Sequence, residues 1–235
     1  MTPSGATRAK PVALVLALAL IALLFTALAA WQVQRMQWKH ALIARVEAGM
    51  VAAPVAVSAL PEDDLAGWEY RRVQLSGHYA AQGTVLVSGA SKLGSGYWVL
   101  APLAGPPGTI YVNRGFMPLG TKLADVRAAM PAGGITVIGL LRLSEPGGGF
   151  LRSNRPAEER WYSRDVGAIA ATHGIAADAR FFVDASAETP QQPGAPVAGL
   201  TVVNFPDNHL VYALTWLALA LLSGGAAIVL WRKAR

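Results

Sequence analysis

The sequence predicts a membrane protein of the α+β class, in which two transmembrane helices flank one extracytoplasmic, mainly antiparallel β domain. Three observations favour this fold: an uncharged apolar run near each end of the 235-residue chain, short β-type runs between them, and basic residues concentrated at the two ends. Charged residues make up only 14% of the chain, against roughly 25% in ordinary soluble domains. We expect the β domain to be barrel- or sandwich-like, with one or two helices.

The two apolar runs are residues 11–30 and 210–231, which are 20 and 22 residues long. As helices they would rise about 30 and 33 Å, enough to cross a hydrocarbon core of about 30 Å. Three tryptophans stand at or near the predicted membrane interfaces, where amphipathic rings settle: Trp31, Trp38 and Trp231. The rest of the chain divides into a cytoplasmic N-terminus (1–10), an extracytoplasmic domain (31–209) and a cytoplasmic C-terminus (232–235).

The basic residues outside the β domain indicate how the chain crosses the membrane. Arg8 and Lys10 precede the first run, and Arg232, Lys233 and Arg235 follow the second. These five residues account for +5 of the net charge of +6, so the middle of the chain carries only +1. By the positive-inside rule both termini are cytoplasmic and the main domain lies on the outer side. Only two basic residues precede the first run, without a long Arg- and Ser-rich leader. We therefore expect a bacterial inner membrane, which makes the domain periplasmic. A nearly neutral middle domain also argues against nucleic acid as a partner.

The first apolar run has an alternative interpretation as a cleaved signal peptide. Ala27-Leu28-Ala29 resembles the small-residue site at which such peptides are cut. The run is longer than the 7–15 residues of a signal-peptide core. We therefore predict an uncleaved anchor.

Between the spans, the pattern predicts two helices and seven short strands. Residues 32–50 carry an irregular apolar stripe and continue the first span as a helix, followed by an Ala-, Val- and Pro-rich connector at 51–61. A further helix is predicted over 163–173, with Ser163 as N-cap and Gly174 as its stop. The predicted strands are rich in Val, Ile, Leu and aromatic residues and cover 69–75, 84–87, 97–103, 109–113, 135–143, 180–184 and 200–203.

Enzyme chemistry finds little support in the sequence. The chain has no cysteine, which excludes disulfides, thiolate zinc sites, iron–sulfur clusters and a Cys nucleophile. It contains no G-x-S-x-G, H-E-x-x-H or Walker motif. Gly94-Ser95-Gly96 begins like a dinucleotide fingerprint, but Val99 stands in the place of the third glycine. We expect a protein that is not an enzyme.

His209, at the threshold of the second span, is the candidate functional residue. An ionisable residue at the edge of a span is a functional candidate by default. At 100° per residue, one narrow helix face collects five residues, with Tyr212 at its margin: His209, Ala213, Trp216, Ala220 and Gly224. An imidazole above small residues and between aromatic rings suits a haem. The same small residues suit close helix packing, and from the residues alone we prefer packing with a capping histidine.

Six blocks of sequence follow one another along nearly the whole chain. The first is Trp31-Gln32-Val33-Gln34-Arg35-Met36-Gln37-Trp38-Lys39, and the last joins Asn208-His209-Leu210 to Tyr212-Ala213 and Thr215-Trp216. The intervening blocks are 69–73 with Gly77, 96–103, 112–118, and Asn154-Arg155-Pro156 with Trp161 and Arg164-Asp165. In this order, between two spans, the blocks resemble the Surfeit locus protein (Shy) family of cytochrome c oxidase assembly factors.

The resemblance implies a role in building haem–copper terminal oxidases. It implies binding of haem a, which is delivered to the catalytic subunit or stabilised in it. His209 would be the axial ligand of the haem iron, and Trp216 and Tyr212 would contact the haem. His40, a second copy and the client protein are alternatives for a second ligand. The implied partners are the catalytic subunit, the lipid bilayer and, as a further candidate, haem a synthase. A haem-free scaffold that holds an oxidase subunit remains the alternative.

Further motif positions have no defined role: Trp31, Gln32, Arg35, Asn113, Arg114, Gly115, Arg164 and Asn208. Two interpretations of the arginines Arg114 and Arg164 stay open, since they either support the fold or bind haem propionates bidentately. Asp207 stands where the family usually has asparagine. Its carboxylate either accepts a hydrogen bond from the imidazole or indicates a copy less devoted to haem.

Overall fold

The computed structural model describes residues 12–149, 151–203 and 205–234. The described chain divides into two compact units, one made of the residues up to 44 with those from 205 onwards and the other of the residues between 45 and 203. The helices are α1 (Val12–Val51), α2 (Leu123–Ala128), α3 (Val166–His173) and α4 (His209–Lys233). The strands are β1 (Val55–Ala56), β2 (Arg72–Tyr79), β3 (Val85–Ser91), β4 (Gly94–Gly105), β5 (Gly108–Pro118), β6 (Ile135–Leu143), β7 (Gly148–Gly149), β8 (Arg152–Ser153) and β9 (Phe181–Thr189).

Five strands of the larger unit close into a barrel. They follow one another around it in the order β2, β6, β9, β5 and β4, and β4 pairs again with β2 through His78 with Ala104 and Tyr79 with Leu103. β3 pairs with β4 outside this ring and forms a free edge, and β1 pairs with β2. The expected α+β domain is thereby confirmed.

The sheet is mixed rather than uniformly antiparallel. β5 pairs with β9 in parallel through Val112 with Val183, and β1 pairs with β2 in parallel. A parallel pair needs a long connection between its strands. Here α2, β6 and α3 lie between β5 and β9 in the chain and supply that length.

Two apolar clusters hold the barrel together. One fills its interior and includes Val73, Val137 and Val183, none of which is measurably exposed. The other lies where α3 packs on the sheet and centres on Trp161 and Phe182, which are both fully buried. Burial alternates residue by residue along most of β6, as expected for a strand with one face on the core.

Three local expectations require correction. The helix predicted over 163–173 begins at Val166, because the Asp165 carboxylate caps it by accepting from the Ala168 N–H at 3.0 Å. Ser163 instead donates to the Glu145 carbonyl oxygen at 2.7 Å, whereas the stop at Gly174 is confirmed. Residues 200–203 form no strand, and the chain there is held by buried Leu200 and by the Thr201 hydroxyl, which donates to Asp184 at 3.0 Å. The short helix α2 was not predicted.

In the smaller unit, α4 packs antiparallel to α1. Phe25 stacks on Trp216 with ring centroids 5.4 Å apart. On α4 the buried positions are alanines seven residues apart, Ala213, Ala220 and Ala227, and a seven-residue repeat is the pattern of a left-handed helix pair. Both helices are long and apolar enough to cross a membrane. α1 has 40 residues and joins the first apolar run and the helix predicted over 32–50 in one element.

Gly115 is a position where the fold requires glycine. Its φ is +131°, and a Cβ there would lie 2.4 Å from the Val197 carbonyl oxygen. Gly120 also has positive φ, +89°, but a Cβ would meet nothing within 4 Å. We expect Gly115→Ala to lower the free energy of unfolding by about 2–4 kcal/mol, since strain and a clash add, and the control Gly120→Ala to lower it by about 1 kcal/mol.

Urea unfolding of the detergent-solubilised protein, followed by tryptophan fluorescence, measures both variants. Equal losses would mean that the contact with Val197 is not a constraint on residue 115.

Candidate functional site

His209 is the first residue of α4, and its imidazole is half-buried. Its Nδ1 atom lies 2.7 Å from the Gln32 amide oxygen. An amide oxygen only accepts hydrogen bonds, so Nδ1 carries the proton and Nε2 carries the lone pair. Among the residues that the structure describes, none hydrogen-bonds Nε2. Metal-ligating histidines are held in this way, with one ring nitrogen fixed by a neighbour and the other free to bind.

Gln32 is the one buried residue among the described residues of α1, with 9% of its surface exposed. A buried amide is costly between apolar helices unless it finds a hydrogen-bond partner. The imidazole of His209, 177 residues away in the chain, is that partner. Gln32 had no defined role in the sequence motif, and the structure places it against the candidate ligand.

Asp207 fixes the chain just before α4. Its Oδ1 accepts from the backbone N–H of His209 at 3.0 Å, and its Oδ2 lies 2.7 Å from Nε2 of His40. Lys39 of α1 adds a second contact with this segment, because its ammonium group donates to the Pro206 carbonyl oxygen. The suggested bond from the Asp207 carboxylate to the imidazole of His209 is therefore wrong, because Gln32 occupies Nδ1 and the carboxylate faces the backbone and His40.

The helix face below His209 is filled. Ala213 and Ala220 are buried, and Trp216 stacks on Phe25 of α1. The apolar face on which a haem macrocycle was expected is therefore in contact with α1. This supports the alternative interpretation, in which the small residues serve close helix packing. Tyr212, at the margin of the face, is 54% exposed.

The other motif positions near the helix ends lie on the outside. Trp31 is 51% exposed, and the Arg35 guanidinium lies 4.5 Å from the centroid of the Trp38 ring. Asn208 is the N-cap residue of α4, but its side chain makes no capping hydrogen bond. The carboxylate of Asp207 binds the first backbone N–H instead.

Arg114 belongs to the barrel and has a carboxylate partner. Its guanidinium donates to Glu188 twice, at 2.9 and 2.7 Å, and lies 4.5 Å from the centroid of the Tyr79 ring. The Tyr79 hydroxyl donates to the same carboxylate at 2.6 Å. Burial, followed by the charge of Glu188, raises the pKa of Tyr79 well above its ordinary value. Next to Arg114 in β5, Asn113 donates to Asp184 at 2.6 Å.

Arg164 is bound in the same bidentate way. It donates to Glu145 at 3.0 and 2.7 Å. At both arginines, carboxylates of the protein occupy the positions that haem propionates would take. This supports the interpretation in which Arg114 and Arg164 stabilise the fold. Neither Glu145 nor Glu188 stood out in the sequence. In the described ranges, no group of three or more His, Asp or Glu side chains is arranged to hold a metal ion.

Asp207→Asn tests the polar contacts that precede α4. The backbone N–H of His209, and then His40, hold the pKa of Asp207 below its ordinary value. A carboxyl whose pKa is lowered by folding stabilises the fold above its unfolded pKa of about 3.9 and loses that contribution as the pH falls through its folded pKa. We expect the parent to melt at a higher temperature than Asp207→Asn near neutral pH.

That difference should disappear in strong acid, and thermal unfolding of the detergent-solubilised proteins across the acid range measures it. Asp63→Asn, in an exposed loop position, is the control. A difference that does not change with pH would contradict the assignment.

Comparison with known proteins confirms the family resemblance. The family model described as SURF1 family matches residues 19–221. Surfeit locus protein 1 of Homo sapiens is 32% identical over 228 residues, which cover 88% of this chain and 72% of the human protein. The Mus musculus protein of the same name is 33% identical over 210 residues, covering 82% of this chain and 67% of its own length.

A SURF1-like protein of Monosiga brevicollis is 32% identical over 220 residues, covering 88% of this chain and 83% of its own. The match to the family model includes the barrel and both Gln32 and His209. It extends over far more than half of the chain. This chain therefore belongs to the SURF1 family.

Proposed function

We propose that this protein is an assembly factor for cytochrome c oxidase that binds haem a through His209. It delivers the haem to the catalytic subunit of the oxidase or stabilises it there. The observation that carries the proposal is the fixed imidazole of His209, whose Nδ1 is held by Gln32 at 2.7 Å while Nε2 has no hydrogen-bond partner in the described part of the chain. Membership of the SURF1 family and the resemblance of its motif blocks to oxidase assembly factors support the role.

In this proposal haem a is cargo, and the chain supplies one ligand and an apolar surface. Haem iron takes a neutral imidazole nitrogen, and in the neutral ring of His209 the hydrogen bond to Gln32 leaves Nε2 as the nitrogen with the lone pair. The face with Ala213 and Ala220 is closed by α1, so the macrocycle would lie on the exposed flank of α4 that carries Tyr212. No step of chemical turnover is required.

The proposed location is a bacterial inner membrane, with both termini cytoplasmic and the main domain periplasmic. Two helices of suitable length and hydropathy support it. Basic residues beyond both apolar runs support the orientation. The proposed partners are the catalytic subunit of the oxidase and haem a synthase.

A second candidate function, a haem-free scaffold, has one specific observation in its favour. The face of α4 that was expected to receive a macrocycle is packed on α1, with Trp216 against Phe25. On the outer faces of both helices many leucines are exposed, among them Leu20 at 66% and Leu221 at 70%. These faces suit contact with helices of an oxidase subunit, and the following experiment separates the two functions.

Replacing His209 by alanine tests the proposed ligand. Protein purified in detergent from a host that makes haem a should show a reduced-minus-oxidised haem a band, and His209→Ala should lose it. His78→Ala is the control, because this histidine is exposed on β2 of the barrel. A colourless parent that still co-purifies with the catalytic subunit would support the scaffold and refute haem binding.

Replacing Gln32 by leucine tests the role of the amide that holds the ring. Loss of the partner of a metal-ligating histidine typically weakens binding by about 10- to 100-fold. We expect Gln32→Leu to weaken haem a binding by a factor in this range, measured by spectrophotometric titration. Gln34→Leu, an exposed position two residues along α1, should bind like the parent. Equal affinities of all three proteins would contradict this role.

A further inference from the structure

The outer edge of β3 is only partly covered. Val87 bridges to Trp161, and the Ser88 N–H donates to the Trp161 carbonyl oxygen at 2.8 Å. The chain then leaves the edge, because the N–H groups of Tyr162 and Ser163 both bind the Asn154 side-chain oxygen, at 2.8 and 3.2 Å. A partner strand for β3 therefore begins at Trp161 and stops there.

The backbone of β3 beyond this point is directed outwards. In an antiparallel pair, alternate residues exchange hydrogen bonds with the partner strand and the others point away from it. Ser88 points away from β4, since its N–H binds Trp161. Ala90, two residues further along, faces the same way, and among the described residues no group hydrogen-bonds its N–H or C=O, which form an open edge. Unpaired edges of this kind are where another strand can add.

A groove of about 470 Å³ runs beside this open edge. It is lined by Ala90 together with side chains from other elements, including Tyr97, Leu119, Arg152 and Tyr162. The Arg152 guanidinium lies 5.5 Å from the centroid of the Tyr162 ring. The groove thus offers aromatic surface and a cation next to free backbone groups.

Exposed leucines stand on the loops around the groove. Leu93, in the turn after β3, is 58% exposed; Leu119, after β5, is 64% exposed; and Leu151, next to Arg152, is 88% exposed. Of these, Leu119 also lines the groove, so its apolar side chain is available to a bound segment.

The charge of the groove restricts the partner. Arg152 lines it, and Lys92 stands in the adjoining turn. Within the described residues, no carboxylate lines the groove. An extended segment with carboxylates would meet complementary charge here, whereas a basic segment would be repelled.

We propose that the open edge of β3 binds an extended acidic segment of a partner protein, which adds to the sheet as a further strand. The segment would exchange backbone hydrogen bonds with Ala90, place a carboxylate at Arg152 and rest apolar side chains against Tyr97 and Leu119. Main-chain hydrogen bonds supply the affinity in this mode of recognition and side-chain pockets supply the specificity.

The test uses the full-length protein in detergent and two fluorescein-labelled eight-residue peptides, one alternating Glu with Val and the other alternating Lys with Val. Fluorescence anisotropy should show binding of the Glu–Val peptide, with the Lys–Val peptide at least tenfold weaker. Added salt should weaken the Glu–Val complex, since the groove is exposed.

Two variants locate the binding. Ala90→Pro removes the outward N–H and should weaken binding of the Glu–Val peptide about five- to tenfold, whereas Ala90→Ser keeps that N–H and should bind like the parent. Proline is tolerated on an edge strand where its N–H would face away from the sheet. Arg152→Glu should weaken binding about tenfold, with Arg45→Glu, at an exposed position in the helix α1, as its control.

Circular dichroism and melting temperature show whether Ala90→Pro is folded, and if it is not, Arg152→Glu decides the result. The proposal is overturned if the parent does not bind the Glu–Val peptide at millimolar concentration. It is also overturned if both peptides bind equally, or if folded Ala90→Pro and Arg152→Glu both bind like the parent.

Discussion

The hydrogen bond between Gln32 and His209 is the constraint on which the helical unit depends. It joins α1 to the start of α4 in a setting where most other contacts are apolar. Apolar packing between helices in a membrane gives little specificity, because lipid tails pack as well as leucine does. A single polar pair can set the register of one helix against the other. The stack of Phe25 on Trp216 is consistent with the register that the Gln32–His209 bond sets. The same bond determines the tautomer of His209, so alignment of the helices and availability of Nε2 have one cause.

The barrel has its own polar constraint, a buried ion pair between Arg114 and Glu188. The pair is completed by Tyr79, which donates to the carboxylate and lies under the guanidinium. The two side chains are only 2% and 8% exposed. Unless their hydrogen bonds are satisfied inside the protein, such a pair costs more free energy in desolvation than its attraction contributes. It links β2, β5 and β9, of which only β5 and β9 pair directly, and so ties opposite parts of the barrel wall together.

Sequence patterns predicted elements with local causes and missed partners that are distant in the chain. The apolar runs were predictable because length and absence of charge suffice, and β6 was predictable because it is a run of Ile, Val and Leu bounded by polar and glycine residues. The start of α3 was misplaced by three residues, since Ser163 and Asp165 are both good N-caps and only tertiary contacts choose between them. Gln32, His209 and Arg114 were all singled out in the sequence, yet nothing local indicated that Gln32 pairs with His209, 177 residues away, or that Arg114 pairs with Glu188, 74 residues away.

The position of β9 between β6 and β5 has a consequence for the timing of folding. β5 ends at Pro118, but its parallel neighbour begins at Phe181, so the barrel cannot close until most of the chain has been synthesised. Pairings of such long sequence separation form slowly, because the connecting loop must be ordered first. During synthesis, the apolar strands β5 and β6 are thus left for some time without the neighbour that covers them. The nascent chain therefore passes through a period in which apolar strands that are buried in the finished barrel are exposed and can aggregate.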